Sequence, residues 1–208
     1  MVRTLIGGLV GGIIIFVMGF IFWATPLGEI PYSHATDAQQ AAVQTALAQN
    51  LSQKDPQTGK IGGTGTYKIP NPTSRDGANL YTNGPIALVD YNTSGFSPDD
   101  MGMLLPGFIV SLISGLLMAF GLAAVGGGGR SFAPVARLVI CFSLAFTVFT
   151  FLGAPIFNHF GWGYWIYAFI AQSVSFIVAG LVIARFFLPH YERAAAAEPV
   201  HDAPATEA

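Results

Sequence analysis

The sequence predicts an α-helical integral membrane protein, a bundle of four transmembrane helices with a small α+β insert between the first and the second. Three observations lead there. Apolar residues make up 52% of the 208 and charged residues only 10%. Ordinary soluble chains carry about 25% charged residues, so there is too little charge here to wet a globular surface. Four stretches reach the roughly 20 consecutive apolar residues that a helix needs to cross a bilayer core. The arginines near the ends of those stretches all fall on one side when the chain is threaded through four times. A net charge of −2 offers no basic field for nucleic acid. The single cysteine, Cys141, can form neither an intramolecular disulfide nor a cysteine-based zinc cluster.

The first span covers residues 4–25 without a charge. Lipid gives a bare backbone no hydrogen-bond partner, so the stretch must be helical. Continuous apolar runs, rather than alternating ones, argue against a β-barrel. Met1-Val2-Arg3 ahead of such a run also has the form of a secretory signal, with Ala24 as a cleavage position. The apolar region of a signal is usually about 7–15 residues and this one is longer, so a retained span is expected.

Residues 26–102 form the insert. Thr36 and Gln39 have capping-box spacing, and Val43, Leu47 and Leu51 make an apolar stripe, which predicts a helix over 36–51. Residues 54–65 are turn-rich, and short strands are expected over 64–69, ending before Pro70, and over 85–91, with a loop over 71–79. Ser97-Pro98-Asp99-Asp100 has the composition of a cap for the second span. One helix and two strands bury little apolar surface, so the insert is expected to lean on the span ends or on a partner. The other spans are 103–125, 132–156 and 164–188. The glycine-rich turn 126–130 joins the second to the third, and a disordered cytoplasmic tail over 189–208 follows the last.

Sidedness follows from the basic residues. Arg3, Arg130, Arg137 and Arg185 read as inside anchors, with Arg193 just beyond the last span. The connection around 157–163 has no basic residue, and Lys54, Lys60, Lys68 and Arg75 lie too far from the spans to count. The expected location is a bacterial inner (plasma) membrane, with both termini cytoplasmic and residues 26–102 extracytoplasmic. Trp23, Trp162, Tyr164, Trp165 and Tyr167 cluster at the outer boundary, as an aromatic belt does. Gly7 with Gly11, Gly8 with Gly12, and the row Ser111, Gly115 and Ala119 are helix-packing surfaces of small residues. Whether their partner helix lies in this chain or another is open at this level.

No span carries an ionisable group at mid-membrane, where a pump or proton-coupled carrier needs one. Gln172 is the most prominent polar residue inside a span. It is expected to hydrogen-bond a neighbouring helix, with a ligand head group as the other reading. Together with His159 and Tyr164 it makes up the candidate ligand contacts. Ser111, Ser114, Ser143, Thr147, Thr150, Ser173 and Ser175 can bond their own helical carbonyls and signify little. His34, His159, His190 and His201 lack the spacing of a zinc or haem site. No catalytic residue, metal or cofactor is predicted.

Several fragments carry a resemblance: Phe22-Trp23 after the glycine-rich first span, the segments 37–43, 65–70 and 84–87, and Ala179-Gly-Leu-Val-Ile-Ala-Arg185 closing the fourth span. By these the chain resembles a group of uncharacterised bacterial four-span integral membrane proteins with an extracytoplasmic insert after the first span. It departs from them at Pro26-Leu27-Gly28, where a His-rich and Pro-Trp-rich region is expected. The resemblance implies the architecture and no activity. The expectation for function is a non-catalytic accessory or assembly subunit that packs against a larger inner-membrane complex. Its partners would be the lipid bilayer and either another membrane protein or a second copy of itself. The alternative is a ligand-sensing or transport-related protein that binds through the insert.

Overall fold

The structure is a computed structural model that describes residues 1–52, 62–97, 100–126 and 131–188. In chain order it contains α1 (Val2–Trp23), α2 (Asp37–Leu51), β1 (Gly65–Ile69), α3 (Gly77–Asn83), β2 (Ala87–Tyr91), α4 (Leu104–Gly126), α5 (Phe132–Thr147), α6 (Gly153–Asn158) and α7 (Trp162–Val182). A π-helical turn, Val148–Leu152, joins α5 to α6, and another, Ile183–Phe187, extends α7. Among the described residues four continuous helical stretches are long and apolar enough to cross a membrane: Val2–Trp23, Met101–Val125, Phe132–Asn158 and Trp162–Phe187. They argue for a multi-pass membrane protein. The chain divides into two compact units, one of residues 1–32 with the chain from 101 onward, the other of residues 33–100.

In the first unit the helices alternate in direction. Gly12 of α1 lies on Leu112 of α4, Gly8 on Leu116 and Ala119, and Phe16 meets Phe108 edge to face at 5.2 Å. These pairs run opposite ways along the two helices, so α1 and α4 are antiparallel. The same holds for α1 and α7, where Gly7 meets Phe187 and Gly11 meets Ile183 at one end, while Trp23 meets Tyr167 at the other. Thr147 against Ser173, and Val139 against Gly180, make α5 and α7 antiparallel as well. The helix order in space is therefore α4, α1, α7, α5.

The interior is built from small residues. Only Gly7, Gly8, Gly11 and Gly12 of α1 are buried, whereas Leu5, Ile13, Val17 and Phe20 are about half exposed. α7 buries Ala168, Ala171, Ser173, Ser175, Ala179 and Gly180. Glycine and alanine inside with leucine and phenylalanine outside suits helices whose solvent is lipid, where close backbone approach holds them together and exposed apolar bulk costs nothing. The larger core residues Leu122, Val135, Val139, Ile183 and Leu188 gather at the end of the unit that holds Arg3, Arg137 and Arg185. An apolar cleft of about 420 Å³, lined in part by Leu122 and Val139 of this cluster, lies between α4 and α5. The four-helix arrangement is thus open along one side.

The third candidate span has an internal irregularity with a chemical cause. Pro155 has no N–H to give the carbonyl one turn back and its ring crowds that carbonyl. The π turn Val148–Leu152 occupies this place, and Gly153 N–H returns to the Phe149 carbonyl.

In the second unit β1 and β2 pair antiparallel, with Gly65 opposite Tyr91 and Ile69 opposite Ala87. Thr66 Oγ1 donates to Asp90 Oδ1 at 2.7 Å across the pair. Tyr67 O–H donates to the Gly63 carbonyl at 2.7 Å and accepts from Gly63 N–H at 2.9 Å, closing the entry to β1. α2 carries the capping box: Gln39 N–H donates to Thr36 Oγ1, and Thr36 N–H to Gln39 Oε1. Two boundaries differ from the sequence reading. β2 starts at Ala87 rather than 85, since Pro85 has no N–H for a ladder. The stretch read as a loop over 71–79 is a turn organised by Asn71, whose Oδ1 accepts from Thr73 N–H, and it runs into α3 from Gly77. Gly84, at φ 65°, ends α3 in the left-handed region that suits glycine. Asp99, Lys54, Lys60, Arg130 and the tail 189–208 lie outside the described residues.

Candidate functional site

Two of the grooves on the first unit lie within the candidate spans, neither of them lined by Arg3. The cleft between α4 and α5 is walled by Leu117, Met118 and Leu122 on one side and Leu138, Phe142 and Phe146 on the other, with Ser114, Gly121 and Ser143 leaving it wide. Phe142 is 70% exposed and Leu117 68%, so the rims project freely. The second groove, of about 370 Å³, lies between α1, α4 and α7 and runs from Trp23 and Leu104 inward to Ser114, Gln172 and Ser175. Ser114 and Phe176 line both grooves and partition them.

Gln172 is half-buried in the second groove. The serines around it spend their protons on their own helices: Ser111 O–H on Gly107 O at 2.9 Å, Ser114 on Val110 O at 2.9 Å, Ser175 on Ala171 O at 2.7 Å. Among the described residues no group hydrogen-bonds the Gln172 amide, so the neighbouring-helix bond expected of it is not made within these helices. A primary amide with two donors and a carbonyl acceptor left open inside an apolar span is costly until something meets it.

His159 and Tyr164 do not join Gln172. His159 is exposed at the C-terminus of α6, in left-handed conformation at φ 55°, ψ 34°. Tyr164 belongs to an aromatic cluster at the end of the unit opposite the arginines, with ring centroids 5.9 Å from Trp23, 5.6 Å from Tyr32 and 5.3 Å from Trp165. Tyr167 completes it, donating its O–H to the Phe22 carbonyl at 2.6 Å and tying α7 to the end of α1. Trp23 alone touches both this cluster and the Gln172 groove.

At the other end Arg3 Nη2 donates to the Phe186 carbonyl at 3.1 Å, fixing the start of α1 to the π turn after α7. Arg137 and Arg185 are exposed at the same end. The small-residue rows meet each other inside the chain: a Cβ on Gly115 would strike Gly12 N and Gly8 O. The open question of their partner is answered here by α4 for Gly8 and Gly12 and by the α7 extension for Gly7 and Gly11.

Two features escaped the sequence. One is Thr147, fully buried, whose Oγ1 lies 2.8 Å from Ser173 Oγ. Thr147 gives its proton to the Ser143 carbonyl at 2.8 Å, so Ser173 is the donor between the helices. Only the pairing across space separates these two hydroxyls from the others that bond their own turns. The other is the α4–α5 cleft, which no periodicity marks. Among the described residues no three His, Cys, Asp or Glu side chains converge as a metal site. No protein-family model matches the chain, and no curated protein or solved structure matches it either.

Proposed function

We propose that this is a non-catalytic accessory subunit of a bacterial inner-membrane complex, with both termini cytoplasmic and residues 26–102 extracytoplasmic, and that it receives an apolar helix of its partner in the cleft between α4 and α5. The observation that carries the reading is that cleft. Gly7, Gly8, Gly11, Gly12 and Gly115 are taken up by contacts between the chain's own helices, whereas Ser114, Gly121 and Ser143 line an uncovered surface. Small residues at a lipid-facing surface permit the close backbone approach by which membrane helices associate. The exposed rims Leu117 and Phe142 would flank the incoming helix.

Photo-crosslinking amino acids placed at Leu117 and Phe142, with Val17 on the exposed face of α1 as control, test this in native membranes. One discrete protein adduct from the two cleft positions and none from Val17 is the expected result. Lipid adducts alone from all three positions would refute it.

The alternative, ligand sensing through the insert, has one supporting feature. A groove of about 580 Å³ lies between α2 and β2, lined by Gln44, Asp90, Tyr91 and Asn92. The uncovered cleft is the more specific observation, because it lies within spans whose glycine pairs, Gly7 with Gly11 and Gly8 with Gly12, already meet helices of this chain.

A further inference from the structure

We propose that the groove between α1, α4 and α7 binds a neutral amphiphile whose carbonyl-bearing head group is held by Gln172. The inference concerns a different groove from the partner-helix reading, with Ser114 and Phe176 as the walls the two share. Its basis is a mismatch between the chemistry of the groove and what the chain itself supplies. Gln172 presents two N–H donors and a carbonyl acceptor that nothing among the described residues engages, at a position within a candidate span. The three serine hydroxyls beside it have given up their protons to Gly107, Val110 and Ala171, so they can only accept. The groove therefore offers two donors from one amide and several acceptors. A head group with a carbonyl oxygen uses the donors, and a hydroxyl on the same head would find acceptors ready.

Charge is excluded by the same lining. No ionisable side chain lies among the residues of the groove. An ionic head drawn into an apolar span without a counter-charge would carry a large desolvation cost. The volume of about 370 Å³ suits one ring or one ester-bearing glycerol head, at the small end of ligand sites. Phe16, Phe20 and Phe176 supply flat apolar walls, and Trp23 stands at the mouth, on the aromatic end of the unit. A ligand that enters from the bilayer keeps its tail in lipid and loses little freedom on binding.

Two sources share this chemistry, a quinone ring and a diacylglycerol ester, and one experiment separates them. The full chain is placed in phosphatidylcholine nanodiscs and its tryptophan emission is followed while a decyl-tailed benzoquinone is added, with dioleoylglycerol as a competitor. A saturable quench is expected above the linear background of a quencher dissolved in lipid. Trp23→Phe removes the saturable part, whereas Trp162→Phe leaves it. Gln172→Leu shifts its midpoint upward by about tenfold, the loss expected for one or two hydrogen bonds to a buried amide, while circular dichroism shows unchanged helix content. Displacement by dioleoylglycerol assigns the site to ester lipids. If instead dioleoylglycerol itself binds with no quinone quench, read by native mass spectrometry and lost in Gln172→Leu, the assignment is the same. A quinone quench that dioleoylglycerol does not displace assigns the site to ring head groups. If neither probe binds saturably, or if Gln172→Leu binds both as the natural chain does, the proposal is overturned.

Discussion

Gly115 of α4 sits where a side chain has nowhere to go. A Cβ there would fall against Gly12 N and Gly8 O, and 2.7 Å from Gly12 Cα, all of them backbone atoms that cannot rotate away. Gly19, on the same helix as Gly8 and Gly12, has nothing within 4 Å of its would-be Cβ. The two glycines should therefore respond oppositely to the same substitution. Gly115→Ala forces α1 and α4 apart and costs on the order of 1–3 kcal/mol, as overpacking does. Gly19→Ala is neutral or stabilises by up to about 1 kcal/mol, because alanine restricts the unfolded helix more than glycine does. Thermal unfolding in mild detergent, followed by circular dichroism, distinguishes them; equal shifts for both would mean that the glycine contact does not hold the helices. The four-residue spacing in the sequence marked Gly7, Gly8, Gly11 and Gly12 as packing residues, yet spacing alone does not say which face meets which helix. The two pairs lie on adjacent faces and serve different partners, α4 for one and the α7 extension for the other.

At the level of elements, the long helices were readable because lipid demands the same thing along their whole length, an apolar stretch with no backbone group left open. The capping box of α2 was readable because Thr36 and Gln39 satisfy each other locally. α3 was not, since its seven residues, with Leu80 its one large aliphatic side chain, show no apolar period. The bond between α5 and α7 was hidden for another reason. Thr147 and Ser173 look like the other hydroxyls of the spans until the helices are placed side by side. Hydrogen bonds between membrane helices contribute about 0.6 kcal/mol on average and up to about 1.7. Ser173→Ala and Thr147→Val should each destabilise the protein by roughly that much. The double variant should cost less than the sum of the two, because either change alone already removes the shared bond. Unfolding free energies of the two single variants and the double variant measure this; strict additivity would show that the hydroxyls do not interact in the membrane.

The helical unit has two unlike ends. Arg3, Arg137 and Arg185 are at one, and Trp23, Tyr32, Tyr164 and Tyr167 cluster at the other. The antiparallel order of α1, α4, α5 and α7 requires this segregation, since every connection next to an arginine then lies on the same side. Arginine close to a span end is retained on the cytoplasmic face during insertion, and this is the ground on which the arginine end is proposed to lie inside and the insert outside. Cys141, exposed on α5, is the only cysteine and is replaced by serine to leave a silent background. In that background Lys68→Cys, on β1, should react with a membrane-impermeant maleimide in intact spheroplasts, while Val2→Cys, 71% exposed at the start of α1, should react only after the membrane is opened. Labelling of Val2→Cys in sealed spheroplasts, with Lys68→Cys protected, would reverse the orientation. The helix packing would survive that result, because glycine contacts do not depend on which side is inside. The proposed roles would not survive unchanged, since the Gln172 groove opens beside Trp23 at the end opposite the arginines. Its mouth would then face the cytoplasmic leaflet, and any amphiphile it holds would have to be drawn from there.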